Sequence, residues 1–221
     1  MPIIILFGII IGYLLNNYTL TVTEETEGNP IRPVFDKKVT PIILLWNILI
    51  PILLYIGYGG VFSAGFFRDF ILSALFSAIL FIDAKHYIIP NILNLIGFVA
   101  GVVILFIDSS DIGNYLFGAG IGLGFFLVII LLSKLILKKE GMGLGDAKLM
   151  CVVGILFGTV YTILTTILSF ILASVGVTIS LIFKKKQMGQ EIAFGPYIVA
   201  AGMIAMFFGQ DIINLYLGLL Q

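Results

Sequence analysis

Charged residues are scarce in this chain of 221 residues: Asp, Glu, Lys and Arg together make up 11% of it. Cysteine, histidine and tryptophan occur once apiece. A single cysteine, Cys151, excludes an internal disulfide and any metal site built from several thiolates, so it reads as a small packing residue. The lysine runs at 138–139 and 184–186 are too short for a nucleic-acid surface and read as topogenic charge. No repeat or low-complexity tract stands out. What is abundant is apolar: 60% of the residues are hydrophobic. That excludes a soluble domain and predicts an all-α, polytopic integral membrane protein whose segments are set by bilayer thickness.

About eight transmembrane helices are expected. The first, Pro2 to Leu15, lacks a basic leading region and a small-residue cleavage site, so it reads as a retained helix. A polar loop from Asn16 to Lys38 follows, carrying Glu24, Glu25, Glu27, Arg32, Asp36 and Lys37. Thr40 and Pro41 read as the N-cap and first position of a second segment reaching Tyr58, kinked at Pro51. The glycine-rich stretch from Gly57 to Gly65 turns the chain. Later segments cover Phe66–Asp83, Pro90–Ile107, Tyr115–Leu137, Asp146–Thr159, Tyr161–Phe183 and Ala193 to about Phe208, the last with an apolar tail to Leu220 that could prolong it. Almost no polar break separates the sixth from the seventh. Residues 1–60 read as an N-terminal helix pair with a short loop, and 61–221 as a membrane core.

Alternation of eight spans puts eleven of the twelve basic residues in loops on one side, leaving only Arg68, beside Asp69, on the other. By the positive-inside rule the basic side is cytoplasmic and both termini lie outside. Fusing the sixth and seventh segments would strand Lys184 to Lys186 on the wrong side. The same topology brings Asp83, ending one apolar run, and Asp146, opening another, to the cytoplasmic face.

An ionisable group at the edge of an apolar membrane segment is costly and calls for a partner or a task. Taken singly, Asp146 reads as a helix cap and Asp83 as the point where a helix leaves the bilayer, with Lys85 and His86 nearby. As a pair within hydrogen-bonding reach they would share a proton, one activating water while the other protonates the carbonyl or departing amide. Gly141, Gly143 and Gly145 precede Asp146 and free the backbone there for close approach by another peptide. Lys148 is a candidate partner for an acidic group, Pro90 starts a segment, and Pro196 is expected to kink the last one. Glu24, Glu25 and Glu27 could attract a basic peptide electrostatically.

Four stretches together resemble a known family. Asp83 followed by Ile89, Pro90 and Asn91 looks like the first catalytic motif of the bacterial type IV prepilin peptidases. Gly143, Leu144, Gly145 and Asp146 match the second, the GxGD motif. Phe194, Gly195 and Pro196 resemble a further step near the C-terminus, and Gly12, Leu14, Leu15 and Asn16 one in the first helix, with Tyr13 in place of a serine. The resemblance implies an aspartic endopeptidase of the bacterial inner membrane, its active site facing the cytoplasm. Such an enzyme removes the basic leader of type IV prepilin or pseudopilin precursors. It would use Asp83 and Asp146 as catalytic groups, with Gly143, Gly145 and Lys148 along the substrate loop and Pro90, Asn91, Gly195 and Pro196 shaping the cleft. Proteolysis of this kind implies no cofactor and no metal. Many members also methylate the new amino terminus with S-adenosylmethionine, and their first cytoplasmic loop carries two Cys-x-x-Cys pairs. Here that loop is short and has no cysteine, so no zinc is expected and methylation is the uncertain activity. The expected partners are precursor peptides and the lipid bilayer, with no nucleic acid.

Two other enzyme readings share the GLGD step. A presenilin-like or signal-peptide-peptidase-like protease would have a tyrosine before its first aspartate and a Pro-Ala-Leu step near the end; this chain has Ile82 and no such step. An archaeal preflagellin peptidase is harder to separate. A small proton- or cation-coupled transporter would place carboxylates near mid-membrane or show a broken-helix repeat.

Overall fold

The protein is described by a computed structural model covering residues 2–27, 38–108, 111–138, 141–183 and 192–219. The charged loop around Arg32, Asp36 and Lys37 and the triplet Lys184 to Lys186 lie outside the described residues, as do the side chains of Glu24, Glu25 and Glu27. The described residues form eight helices: α1 (Pro2–Glu27), α2 (Val39–Gly57), α3 (Ala64–His86), α4 (Asn91–Ile107), α5 (Ile112–Leu137), α6 (Leu144–Phe157), α7 (Thr159–Ile182) and α8 (Gly195–Leu219). Six of them, α1, α2, α3, α5, α7 and α8, are long and apolar enough to cross a bilayer. The chain is an all-helical, polytopic membrane protein.

Several boundaries differ from the sequence expectation. The first helix continues past Leu15 to Glu27 instead of giving way to a loop at Asn16. Its polar residues serve themselves: the Thr21 and Thr23 hydroxyls donate to the carbonyls of Asn17 and Thr19, both at 2.8 Å, and no glycine or proline interrupts the chain between Gly12 and Gly28. Thr40 is no cap, since α2 starts at Val39 and Thr40 is buried inside its first turn. Pro196 is the second residue of α8. There its missing N–H would have had no helical partner, so the expected kink is replaced by a helix start.

The helices form two compact units, residues 1–110 and 111–221. In the first, α1 lies close against α2 through Gly8 and Gly12: a Cβ on Gly8 would collide with the Asn47 carbonyl, and one on Gly12 would stand 3.1 Å from the Asn47 Cβ. Small residues at such crossings let helices approach where lipid offers no hydrophobic drive. Asn47 Nδ2 then donates to Ser77 Oγ on α3 at 2.9 Å, and Trp46 Nε1 to the Ser73 carbonyl at 2.9 Å. Helix α3 forms the core, with Leu72, Phe76, Ala78, Ile79 and Ile82 fully enclosed.

At the Gly57–Gly65 end of this unit, Arg68 of α3 pairs with Asp108 after α4 at 3.2 Å, and the Tyr58 hydroxyl donates to Asp69 at 2.8 Å. The lone basic residue expected on that side is therefore matched to an aspartate. The guanidinium is almost wholly enclosed, so removing its counter-charge is costly. Asp108→Ala is expected to destabilise the unit by about 2 kcal/mol, the scale of a charged hydrogen bond, read as a lower Tm in detergent; an unchanged Tm would show the pair to be energetically idle.

In the second unit α6 runs antiparallel to α5 in near backbone contact. A Cβ on Gly118 would stand 2.7 Å from the Gly154 carbonyl oxygen, and Gly122 faces the Met150 carbonyl in the same way. The chain turns between α6 and α7 at Gly158 alone, whose φ of +79° favours glycine. Asn114 on α5 fixes that turn by accepting from the Thr159 N–H at 2.9 Å, while the Thr159 hydroxyl donates to the Asn114 carbonyl at 2.8 Å. This is the break that hydropathy barely registers between the sixth and seventh segments. Helix α7 then runs along α5 again, with Phe125 and Phe126 meeting Phe170 at 6.0 and 5.8 Å between ring centres.

Candidate active site

Asp83 belongs to the first unit and Asp146 to the second. Asp83 lies one turn before the end of α3, 4% exposed, and its carbonyl accepts from the N–H of Tyr87, the left-handed residue that closes the helix. The Tyr87–Pro90 link then feeds α4, with Pro90 extended at the N-cap position and Asn91 as first helical residue. The D-to-IPN spacing of the sequence is thus one helix end, one short turn and one helix start. Pro90 is half-buried, Asn91 exposed and His86 half-buried.

Asp146 sits in the first turn of α6, 8% exposed, and is not the cap itself. Gly143 is the N-cap, and its N–H donates to Asp146 Oδ2 at 3.3 Å. This is one arm of a capping box; glycine has no side chain to supply the other. A carboxylate at a helix N-terminus meets the positive end of the helix dipole. The approach is folded back on α5, because the Gly141 N–H donates to Ser133 Oγ at 3.2 Å and a Cβ on Gly141 would stand 2.8 Å from the Ser133 Cβ. Gly143 is exposed, Gly145 half-buried and Lys148 exposed on the outer side of the first turns of α6.

Sequence reading has no grip on what stands behind Asp146. The register that sets Gly118 against Gly154 and Gly122 against Met150 carries Phe126, fully buried, to the level of Asp146. Phe126, Phe170 and Phe194 form one aromatic cluster, with ring centres 5.1 to 5.9 Å apart. Phe194 directly precedes Gly195 and Pro196, so the Phe-Gly-Pro step puts an aromatic anchor at the start of α8, where Gly195 is buried and Pro196 half-buried. No local spacing on α5 signals any of this. Asn114 and Phe126 each act through a partner on another helix, and Ser133 acts through the glycine loop. Among the described residues no three His, Cys, Asp or Glu side chains gather as a metal would require.

Comparison with known proteins bears on this arrangement. Residues 70–179, which include both aspartates, match the type IV leader peptidase family. Leader peptidase HopD of Escherichia coli is 30% identical over 137 residues, covering 61% of this chain and 88% of that protein. The chain belongs to the type IV leader peptidase family. Prepilin leader peptidase/N-methyltransferase of Pseudomonas aeruginosa is 36% identical over 140 residues, covering 62% of this chain and 47% of the relative. The protein of the same name from Legionella pneumophila is 35% identical over 148 residues, covering 64% and 50%. The match to these longer family members thus spans about half of their length. No solved structure matches the chain.

Proposed function

We propose that this protein is a membrane aspartic endopeptidase that removes the N-terminal leader of type IV prepilin or pseudopilin precursors at the cytoplasmic face of the inner membrane. The observation that carries the reading is that both aspartates lie within the family-matched residues 70–179, each buried at the end of an apolar helix. In this reading one carboxylate takes a proton from water as the oxygen attacks the scissile carbonyl. The other, protonated, gives its proton to the departing amine, so that a peptide bond and one water become a carboxyl and an amino terminus. Gly143 and Gly145 leave room for the extended substrate beside Asp146, and Lys148, Pro90, Asn91, Gly195 and Pro196 are assigned to the substrate's path. Excess lysine and arginine in the loops next to Asp83 and Asp146 supports a cytoplasmic active site with both termini outside.

The test is cleavage of a purified precursor peptide by the purified protein in proteoliposomes, followed by the mass of the product. A shortened product beginning at the leader junction is expected. An intact precursor under conditions where a known family member cuts it would end the reading.

Methylation is a separate matter. One cysteine cannot supply a site of four thiolates, and HopD, most of whose length the chain covers, bears the name leader peptidase alone. With S-adenosylmethionine present, the new amino terminus is expected to carry no added methyl mass; a gain of one methyl group would assign the second activity to this chain.

A further inference from the structure

The end of the first unit that carries Asp83 holds four buried side chains with polar atoms that find no hydrogen-bond partner among the described residues: Asn16 Oδ1, Thr19 Oγ1, Thr40 Oγ1 and both amide atoms of Asn94. Each side chain is at least nine-tenths buried. Their common level follows from contacts along the helices. Gly8 faces Asn47 and Gly12 faces Leu44, so one more turn sets Asn16 against Thr40. Asn47 bonds Ser77, so the start of α2 runs beside the end of α3. Arg68 meets Asp108; Asp83 lies fifteen residues on from Arg68 and Asn94 fourteen residues back from Asp108, which sets them at about the same level of the antiparallel α3 and α4.

Burying an amide without a partner is unfavourable and does nothing for the fold. An asparagine amide offers one donor edge and one acceptor edge, the complement of a peptide group. A substrate segment held unwound at the active site presents an N–H and a C=O at each residue, and these need partners once they leave water. We propose that Asn94 binds a main-chain peptide group of the unwound leader substrate beside Asp83, with Asn16, Thr19 and Thr40 supplying further polar contacts at the same end of the unit. The proposal rests on the peptidase reading above and names a substrate-binding residue within it.

Asn94→Leu, close in volume, is the discriminating variant. With the precursor as substrate, KM is expected to rise at least tenfold while kcat changes little, the pattern of lost uniform binding. Affinity for the same precursor, measured by fluorescence anisotropy in the inactive Asp146→Asn background, is expected to weaken equally. Asn94→Gln, which keeps both groups, recovers part of the loss. Tm of Asn94→Leu stays level or rises, because the leucine leaves nothing unsatisfied. Unchanged KM and affinity would overturn the proposal, as would a Tm that falls in step with activity, which marks a structural residue. A wild-type protein that fails to cut sinks the peptidase reading; binding of the uncut precursor that still depends on Asn94 would then uphold the recognition site alone, and binding indifferent to Asn94 would remove both.

Discussion

Asp146→Asn is expected to reduce leader cleavage by about 10³-fold or more, the scale on which positioned acid–base groups act. Asparagine is nearly isosteric and keeps an oxygen that can accept from the Gly143 N–H, so the first turn of α6 should stay formed. What it cannot do is take up or release the proton that hydrolysis requires. Asp83→Asn should have the same effect, with its α3 backbone unaltered. The two losses are not expected to multiply, because groups that act as a unit fail together. Protein amount and Tm in detergent give the control: either variant cutting at the normal rate, folded, would show that its carboxylate has no part in the chemistry.

The second large effect is structural. Gly154→Val is expected to destabilise the second unit by about 3 kcal/mol, at the upper end of ordinary overpacking costs. The reason is that a Cβ at this position collides with the backbone of Gly118 and Ala119, which cannot swing aside as a side chain would. Pushing α6 away from α5 also moves Asp146, so cleavage should fall together with Tm. Gly124→Ala on the same α5 is the contrast: nothing lies within 4 Å of its Cβ. It should be neutral or gain a few tenths of a kcal/mol from a stiffer unfolded chain. Equal behaviour of the two variants would mean that the close crossing of α5 and α6 does not hold the unit together.

Much of the fold is readable because apolar runs and charged loops are set by the bilayer itself. The location of all eight helices follows from them, and so does the pairing of Asp83 with a helix end and Asp146 with a helix start. The departures have physical causes. Helix α1 outlasts its apolar run because threonines bond back to their own helix, a satisfaction invisible to hydropathy. Gly158 breaks an apolar stretch with no polar signal, since what stabilises the turn is Asn114, far earlier in the chain. Phe126 and Asn94 escape notice for a similar reason. A phenylalanine or an asparagine in a helix has no pattern of its own, and only the register of the neighbouring helix reveals what it stands beside.

Helix α5 extends eleven residues beyond Phe126, the residue level with Asp146, or about 16 Å at the usual helical rise. The Gly141 N–H, bonded to Ser133 Oγ, holds the glycine loop against that overhanging end of α5. A shift of the α5 end would therefore pass through Ser133 to the loop and on to Asp146 in the first turn of α6, which the Gly143 N–H holds.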